Sequence, residues 1–167
     1  METFRVRPAT TADIGAIAEL CGPLIQSRVL LGKEKVELYE SVQEFLVAED
    51  ENSKVVGCGA LHVMWEDLGE VRTLAVDQDH QGAGIGKKIL THLLERGREL
   101  GLRRIFCLTF EVDFFAANGF EPITDTPVAP EVYAELVRSH DEGIAEFLDL
   151  ARVKQNTLGN TRMLKLL

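Results

Sequence analysis

Apolar residues recur at every second position in some stretches of this chain and at three- and four-residue intervals in others, which divides it into strands and helices. Phe4-Arg-Val-Arg7 predicts a short first strand, and Thr10 or Thr11 can cap a helix whose apolar stripe is Ile14, Ile17, Ala18 and Cys21. Gly22-Pro23 predicts a break, after which Leu24, Ile25, Val29 and Leu30 form a second helical stretch ending before Gly32. Phe45-Leu-Val-Ala48 and Lys54 to Trp65 read as two strands joined by a hairpin turn over Glu49 to Ser53. Asp67-Leu-Gly69 turns into a strand from Val71 to Val76. Ile85, Ile89, Leu90, Leu93 and Leu94 then share one face of a helix that stops near Gly101. Ile105 to Phe110 is almost wholly apolar and predicts a central strand. A short helix from Val112 to Asn118, a strand from Phe120 to Ile123 and a proline-rich loop from Asp125 to Pro130 come next. Glu131 to Leu150 reads as helical with a break near Gly143, and Arg162 to Leu167 as a closing strand. Successive strands followed by strand–helix alternation predict an α/β fold, a mixed (α+β) sheet with its best helix packed against it.

The 167 residues suffice for one domain with a sizeable core, and 46% hydrophobic with 27% charged residues is ordinary for a globular protein. A net charge of −9 argues against nonspecific nucleic-acid binding and against an anionic membrane surface. No apolar run reaches membrane-spanning length, and Met1 to Pro8 lacks the apolar core of a signal peptide. The expectation is a cytoplasmic protein with no nucleic-acid or membrane partner. Cys21, Cys58 and Cys107 lie far apart in apolar segments without CxxC spacing, which predicts reduced, buried thiols and no metal site.

Chemistry concentrates where the strand Val71-Arg-Thr-Leu-Ala-Val-Asp77 runs into Gln81-Gly-Ala-Gly-Ile-Gly-Lys87 and straight on into a helix. Glycines remove the Cβ atoms that would keep an anion from the main chain, and the helix start adds its partial positive charge. Lys87 and Lys88 occupy the first turn, where cations oppose the helix dipole; a bound anion would offset that. A P-loop needs Gly-x-x-x-x-Gly-Lys-Ser/Thr, but Gln81 and Lys88 stand at the first glycine and hydroxyl positions. A dinucleotide fold needs Gly-x-Gly-x-x-Gly and an acidic residue at the end of the next strand, which here ends in Thr109-Phe110.

Leu74-Ala-Val-Asp77 followed by Gln81-Gly-Ala-Gly-Ile-Gly86 resembles the acetyl-CoA signature of the GCN5-related N-acetyltransferases (GNAT). Phe114-Phe-Ala-Ala-Asn-Gly-Phe120 resembles that family's second motif. The resemblance implies a central, mostly antiparallel sheet splayed after its fourth strand, with helices on both faces. It implies a single N-acetyltransferase domain over 1–167, with a core at 4–123 and a C-terminal extension at 124–167. A narrower resemblance, to short stand-alone N-acetylglutamate synthases, rests on Leu30-Leu31, Leu38-Tyr39, Val42 to Phe45, Gly57 to His62 and the tail Asn156 to Leu164. It implies transfer of acetyl from acetyl-CoA to the α-amine of L-glutamate or L-glutamine, the first step of arginine biosynthesis, by direct attack in a ternary complex. It also brings in arginine as a candidate inhibitor and a homodimer. An acetyltransferase for another amine (a peptide N-terminus, polyamine or aminoglycoside) and a non-catalytic acetyl-CoA- or amino-acid-sensing domain are the alternatives.

In that reading the main chain of Leu74, Ala75 and Val76 bonds the pantetheine and the acetyl carbonyl. The backbone of Leu74 and Ala75 then acts as an oxyanion hole. Gln81, Gly82, Ala83, Gly84, Ile85, Gly86 and Lys87 hold the diphosphate, with Phe114 and Asn118 beside the coenzyme arm. The amine must lose a proton, and Glu70 is the first candidate base, ahead of Glu66 and His62. The family often protonates the departing thiolate with a tyrosine at the position of Phe115, which has no proton to donate. A dicarboxylate substrate requires cations, and Arg72, Arg162, Arg28 and Lys33 are the candidates.

Overall fold

The computed structural model describes residues 3–27, 33–150 and 159–167. Seven strands, β1 (Phe4–Pro8), β2 (Phe45–Asp50), β3 (Val55–Trp65), β4 (Leu68–Val76), β5 (Arg104–Thr109), β6 (Glu121–Pro122) and β7 (Thr161–Leu166), form one sheet in the order β1-β2-β3-β4-β5-β7-β6. The helices are α1 (Ile14–Gln26), α2 (Lys35–Glu40), α3 (Ile85–Glu99), α4 (Val112–Ala117), α5 (Pro130–Leu136) and α6 (Glu142–Phe147). The pairings β1–β2, β2–β3, β5–β7 and β6–β7 are antiparallel, and β4–β5 is parallel. The chain groups into two compact units, 1–62 with 71–96 and 63–70 with 97–167.

In the first unit the alternation of side chains along β3 separates two layers. Cys58 and Ala60 pack with Ile14, Ile17 and Cys21 of α1, with Phe45 and Val47 of β2 and with Ala75 of β4. Gly57 and Gly59 face α3 instead. A Cβ on Gly57 would lie 2.8 Å from Ile85 Cγ2, and one on Gly59 2.9 Å from Ile89 Cγ2, 3.0 Å from Leu74 Cδ1 and 3.1 Å from Leu93 Cδ1. Helix α3 therefore rests almost on the β3 backbone, and helices cover both faces as expected. Near β1, Arg7 forks onto Asp13 at 2.8 and 3.0 Å and reaches Glu49 at 2.9 Å, while Asp13 also accepts the Thr10 N–H at 2.7 Å.

In the second unit Phe106 of β5 is fully buried among Met64, Leu68, Leu136, Ile144, Phe147 and Leu148. Its ring meets Phe147 edge-on at 5.2 Å, so α6 is held to β5 by aromatic packing, while α5 joins the same core through Leu136.

Three boundaries differ from those the sequence suggests. Helix α1 passes through Pro23 rather than breaking there, because Leu24 and Ile25 continue the apolar contact with the α1 core; Val29 and Leu30 lie outside the described residues. Gly143 lies inside α6. The interruption falls before Asp141, whose carboxylate accepts the Ile144 N–H at 3.0 Å and caps the helix. Strand β4 begins at Leu68, within the segment read as a turn, and α2 is an additional helix. No helix among the described residues is long and apolar enough to cross a membrane.

Candidate active site

The first unit carries the end of β4 and the glycine loop. Thr73 has φ of +57°, a left-handed conformation that costs a β-branched residue of order 1–3 kcal/mol. Its carbonyl accepts the Cys58 thiol at 3.4 Å. Contact with Cys21, and then burial, pushes the Cys58 thiol pKa well up, so the donor keeps its proton. The irregularity immediately precedes Leu74, whose side chain lies against α3 while Ala75 is buried on the α1 side. Ala75 is core and Leu74 is half-buried, which leaves the main chain of 74–76 as the candidate for chemistry on this strand.

Asp77 ends the strand and shapes the entry to the glycine loop. Its N–H donates to the Val56 carbonyl at 2.8 Å, and its carboxylate accepts the Asp79 N–H at 3.1 Å. Lys54 Nζ approaches the same carboxylate at 3.4 Å and His80 Nδ1 at 3.6 Å. The Asp79 N–H first, and then Lys54, hold the Asp77 carboxyl below the usual carboxylate range. A single 3-10 turn, Gln78–His80, delivers the chain into the loop. Gly82 and Gly84 have φ of +84° and +82°, with nothing within 4 Å of an added Cβ. Here glycine is needed for backbone shape rather than for close packing. The Lys88 N–H closes the first turn of α3 onto the Gly84 carbonyl at 3.0 Å, and the N–H groups before it are those a helix cannot satisfy internally. Exposed glycines in left-handed conformation followed by a fifteen-residue helix make a concave set of donors suited to a diphosphate. Lys87 is exposed, while the Lys88 ammonium sits 5.1 Å from the centre of the Phe4 ring.

The second unit carries Glu70, α4 and Arg162. Glu70 is 3% exposed and sits opposite Phe106 in the parallel β4–β5 register, not at an exposed strand start. Burial, and then the Glu70 charge, push the Cys107 thiol pKa up. Phe115 is buried edge-on between Phe114 and Phe120, both at 5.1 Å. Asn118 Nδ2 donates to the Phe114 carbonyl at 2.7 Å, tying the two motif residues together. Arg162, half-buried on β7, donates through Nε to the Glu146 carbonyl at 3.2 Å and through Nη2 to the Phe147 carbonyl. Its guanidinium thus holds the last carbonyls of α6, and burial lowers its pKa against the opposing charges of Asp149 and Asp125.

The other candidates are more dispersed. Arg72 is half-buried on β4, Lys33 is half-buried, and Arg28 lies outside the described residues. His62 pairs with Glu44 at 2.5 Å, and Glu66 lies in the turn between β3 and β4. Sequence reasoning did not single out Thr73 or the role of Asp77. It took Gly57 and Gly59 only as part of a resemblance. A Gly-x-Gly pair at strand period was the legible sign that another element approaches one face.

The sequence profile of the acetyltransferase (GNAT) family matches residues 24–120. The chain belongs to this family of acetyltransferases. An amino-acid acetyltransferase from Mycobacterium tuberculosis is 56% identical over 164 residues, 97% of this chain and 94% of that protein. Rv2747 from Mycobacterium tuberculosis, solved in complex with CoA and NLQ, aligns with a TM-score of 0.92 and 54% identity over 98% of this chain and 99% of that one. The N-acetylglutamate synthase of Neisseria gonorrhoeae, solved with coenzyme A and N-acetyl-glutamate, has a TM-score of 0.79 at 24% identity. The match covers all of this chain and 36% of that one, and what it shares is the fold.

Proposed function

We propose that the chain is an amino-acid N-acetyltransferase that moves the acetyl group of acetyl-CoA to the α-amine of L-glutamate or L-glutamine. The supporting observation is the open loop Gln81 to Gly86, with left-handed Gly82 and Gly84, leading into the N-terminus of α3. Its donors suit the coenzyme's diphosphate, and the main chain of Leu74 to Val76 suits the pantetheine and thioester. Phe114 and Asn118 flank the coenzyme arm. The amine nitrogen attacks the thioester carbonyl, the new C–N bond forms, and the C–S bond breaks after collapse of the tetrahedral intermediate. Glu70 takes the proton that the substrate ammonium must lose. Phe115 cannot protonate the departing thiolate, so water supplies that proton. Arg72, Arg162 and Lys33 are the cations assigned to the substrate carboxylates, and Arg28 is retained from the sequence. The name of the Mycobacterium tuberculosis relative, an amino-acid acetyltransferase, favours an amino-acid acceptor. A place at the first step of arginine biosynthesis, arginine as inhibitor, a homodimer and a cytoplasmic location belong to the same reading.

The test is CoA thiol release by the purified chain from acetyl-CoA with L-glutamate, L-glutamine, a polyamine and a peptide panel. Turnover with one or both amino acids and none with peptides is expected. Faster turnover of a peptide or polyamine moves the protein to another acceptor class. Saturable acetyl-CoA binding without turnover of any amine makes it a sensing domain.

A further inference from the structure

Of the described non-glycine residues with positive φ, Ser53 and Asp149 lie outside the strands and Thr73 lies within β4. A β-branched residue keeps that conformation only where its surroundings over-determine it. Two of those surroundings are the side chains that follow: Leu74 turns into the α3 layer beside Gly59, and Ala75 returns to the α1 core. The third is a hydrogen bond. Cys58 of β3 donates its thiol proton to the Thr73 carbonyl at 3.4 Å, and the Ala75 N–H approaches the same sulfur. One side chain therefore meets the main chain on both sides of Leu74.

Position 58 is narrowly specified. It is fully buried, with Val47 opposite it in the β2–β3 register and Ile14, Ile17 and Cys21 in the same core. Gly57 and Gly59 open the other face of β3 to α3, leaving Cys58 as the side chain that this stretch turns to the α1 layer. A hydroxyl there would carry a larger desolvation penalty, and an aliphatic side chain would have no proton to offer. A thiol is apolar enough for the core and still carries one donor.

We infer that Cys58 is a positioning residue for acetyl transfer: its thiol, by holding the Thr73 carbonyl, sets the main chain of Leu74 to Val76 against the thioester. Cys58 acts only through that main chain, so its role rests on the acetyl-transfer chemistry proposed for the strand. Cys58→Ala and the better-filling Cys58→Val both remove the donor, and Cys58→Ser restores one. Val47→Ala loosens the same core without removing the bond to Thr73. Two readouts apply at saturating acetyl-CoA: kcat with the amino-acid acceptor, and the infrared stretch of the acetyl carbonyl in bound acetyl-CoA with no acceptor present. In wild type that stretch should lie below its free value, since main-chain N–H groups polarise the carbonyl. Cys58→Ala and Cys58→Val should return it toward the free value and lower kcat by about tenfold. Cys58→Ser should recover the stretch, and kcat to within about threefold, despite a melting temperature no higher than that of Cys58→Ala. Val47→Ala should melt earlier yet keep kcat within about twofold. A wild-type stretch retained in Cys58→Ala and Cys58→Val, no recovery in Cys58→Ser, or an equal loss of kcat in Val47→Ala overturns the role of Cys58 alone. A wild-type stretch unmoved from its free value removes the main chain of Leu74 to Val76 from the thioester, and Cys58 with it.

Discussion

At the scale of single residues, the chemistry depends on groups whose surroundings differ from what their sequence neighbours suggest. Glu70 comes after a glycine near a turn, yet it is buried opposite Phe106. A carboxylate kept from water in that position suits proton acceptance better than one on an open strand end. Glu70→Gln keeps the shape and removes the proposed base. The acetylation rate should fall about 100-fold, most steeply below neutral pH, where the substrate amine is hardest to deprotonate. The pH–rate profile of the variant checks this, and a profile parallel to wild type removes Glu70 from proton transfer. Phe115 shows the complementary point. Its identity in the sequence already rules out proton donation, and its aromatic neighbours explain how the position is used instead, as packing.

At the scale of elements, the glycine loop is placed by the contact of α3 with β3. Gly59 admits Ile89, Leu93 and Leu74 to distances a methyl group would occupy. Gly59→Ala should destabilise the protein by about 1–3 kcal/mol and raise the KM for acetyl-CoA, because α3 and Leu74 must both move. Gly15→Ala is the control: it meets nothing within 4 Å and lies inside α1 with no proline after it, so it should stabilise by about 0.5–1 kcal/mol. Urea unfolding and acetyl-CoA saturation curves of the two variants separate crowding from a general intolerance of alanine. The elements themselves were largely legible, since strand alternation and the α3 stripe are local patterns. The loop was legible for another reason: main-chain recognition requires glycine, and glycine can be read directly. Pro23 misled because it signals a local preference that Leu24 and Ile25 outweigh by packing.

At the scale of the whole molecule, acid stability should track the Arg7–Asp13–Glu49 cluster that joins β1, β2 and the start of α1. The Arg7 hydrogen bond chiefly, and then the Thr10 N–H, lower the Asp13 carboxyl from an ordinary 3.8 to about 2. A depressed carboxylate stabilises the fold above its unfolded value and loses that contribution as pH falls through the folded value. Wild type should therefore lose about 2 kcal/mol of this stabilisation between roughly pH 4 and pH 2. Asp13→Asn should lose it at every pH and show a flatter decline across that window in urea titrations.

The amino-acid sequence by itself determined the order of strands, the amphipathic α3, the glycine loop and the family motifs, because each is carried by neighbours along the chain. Only the tertiary structure decided the left-handed Thr73, the burial of Glu70, the approach of α3 to Gly57 and Gly59, and the hold of Arg162 on α6. Each of those depends on a partner distant in sequence, and no local pattern specifies which partner arrives.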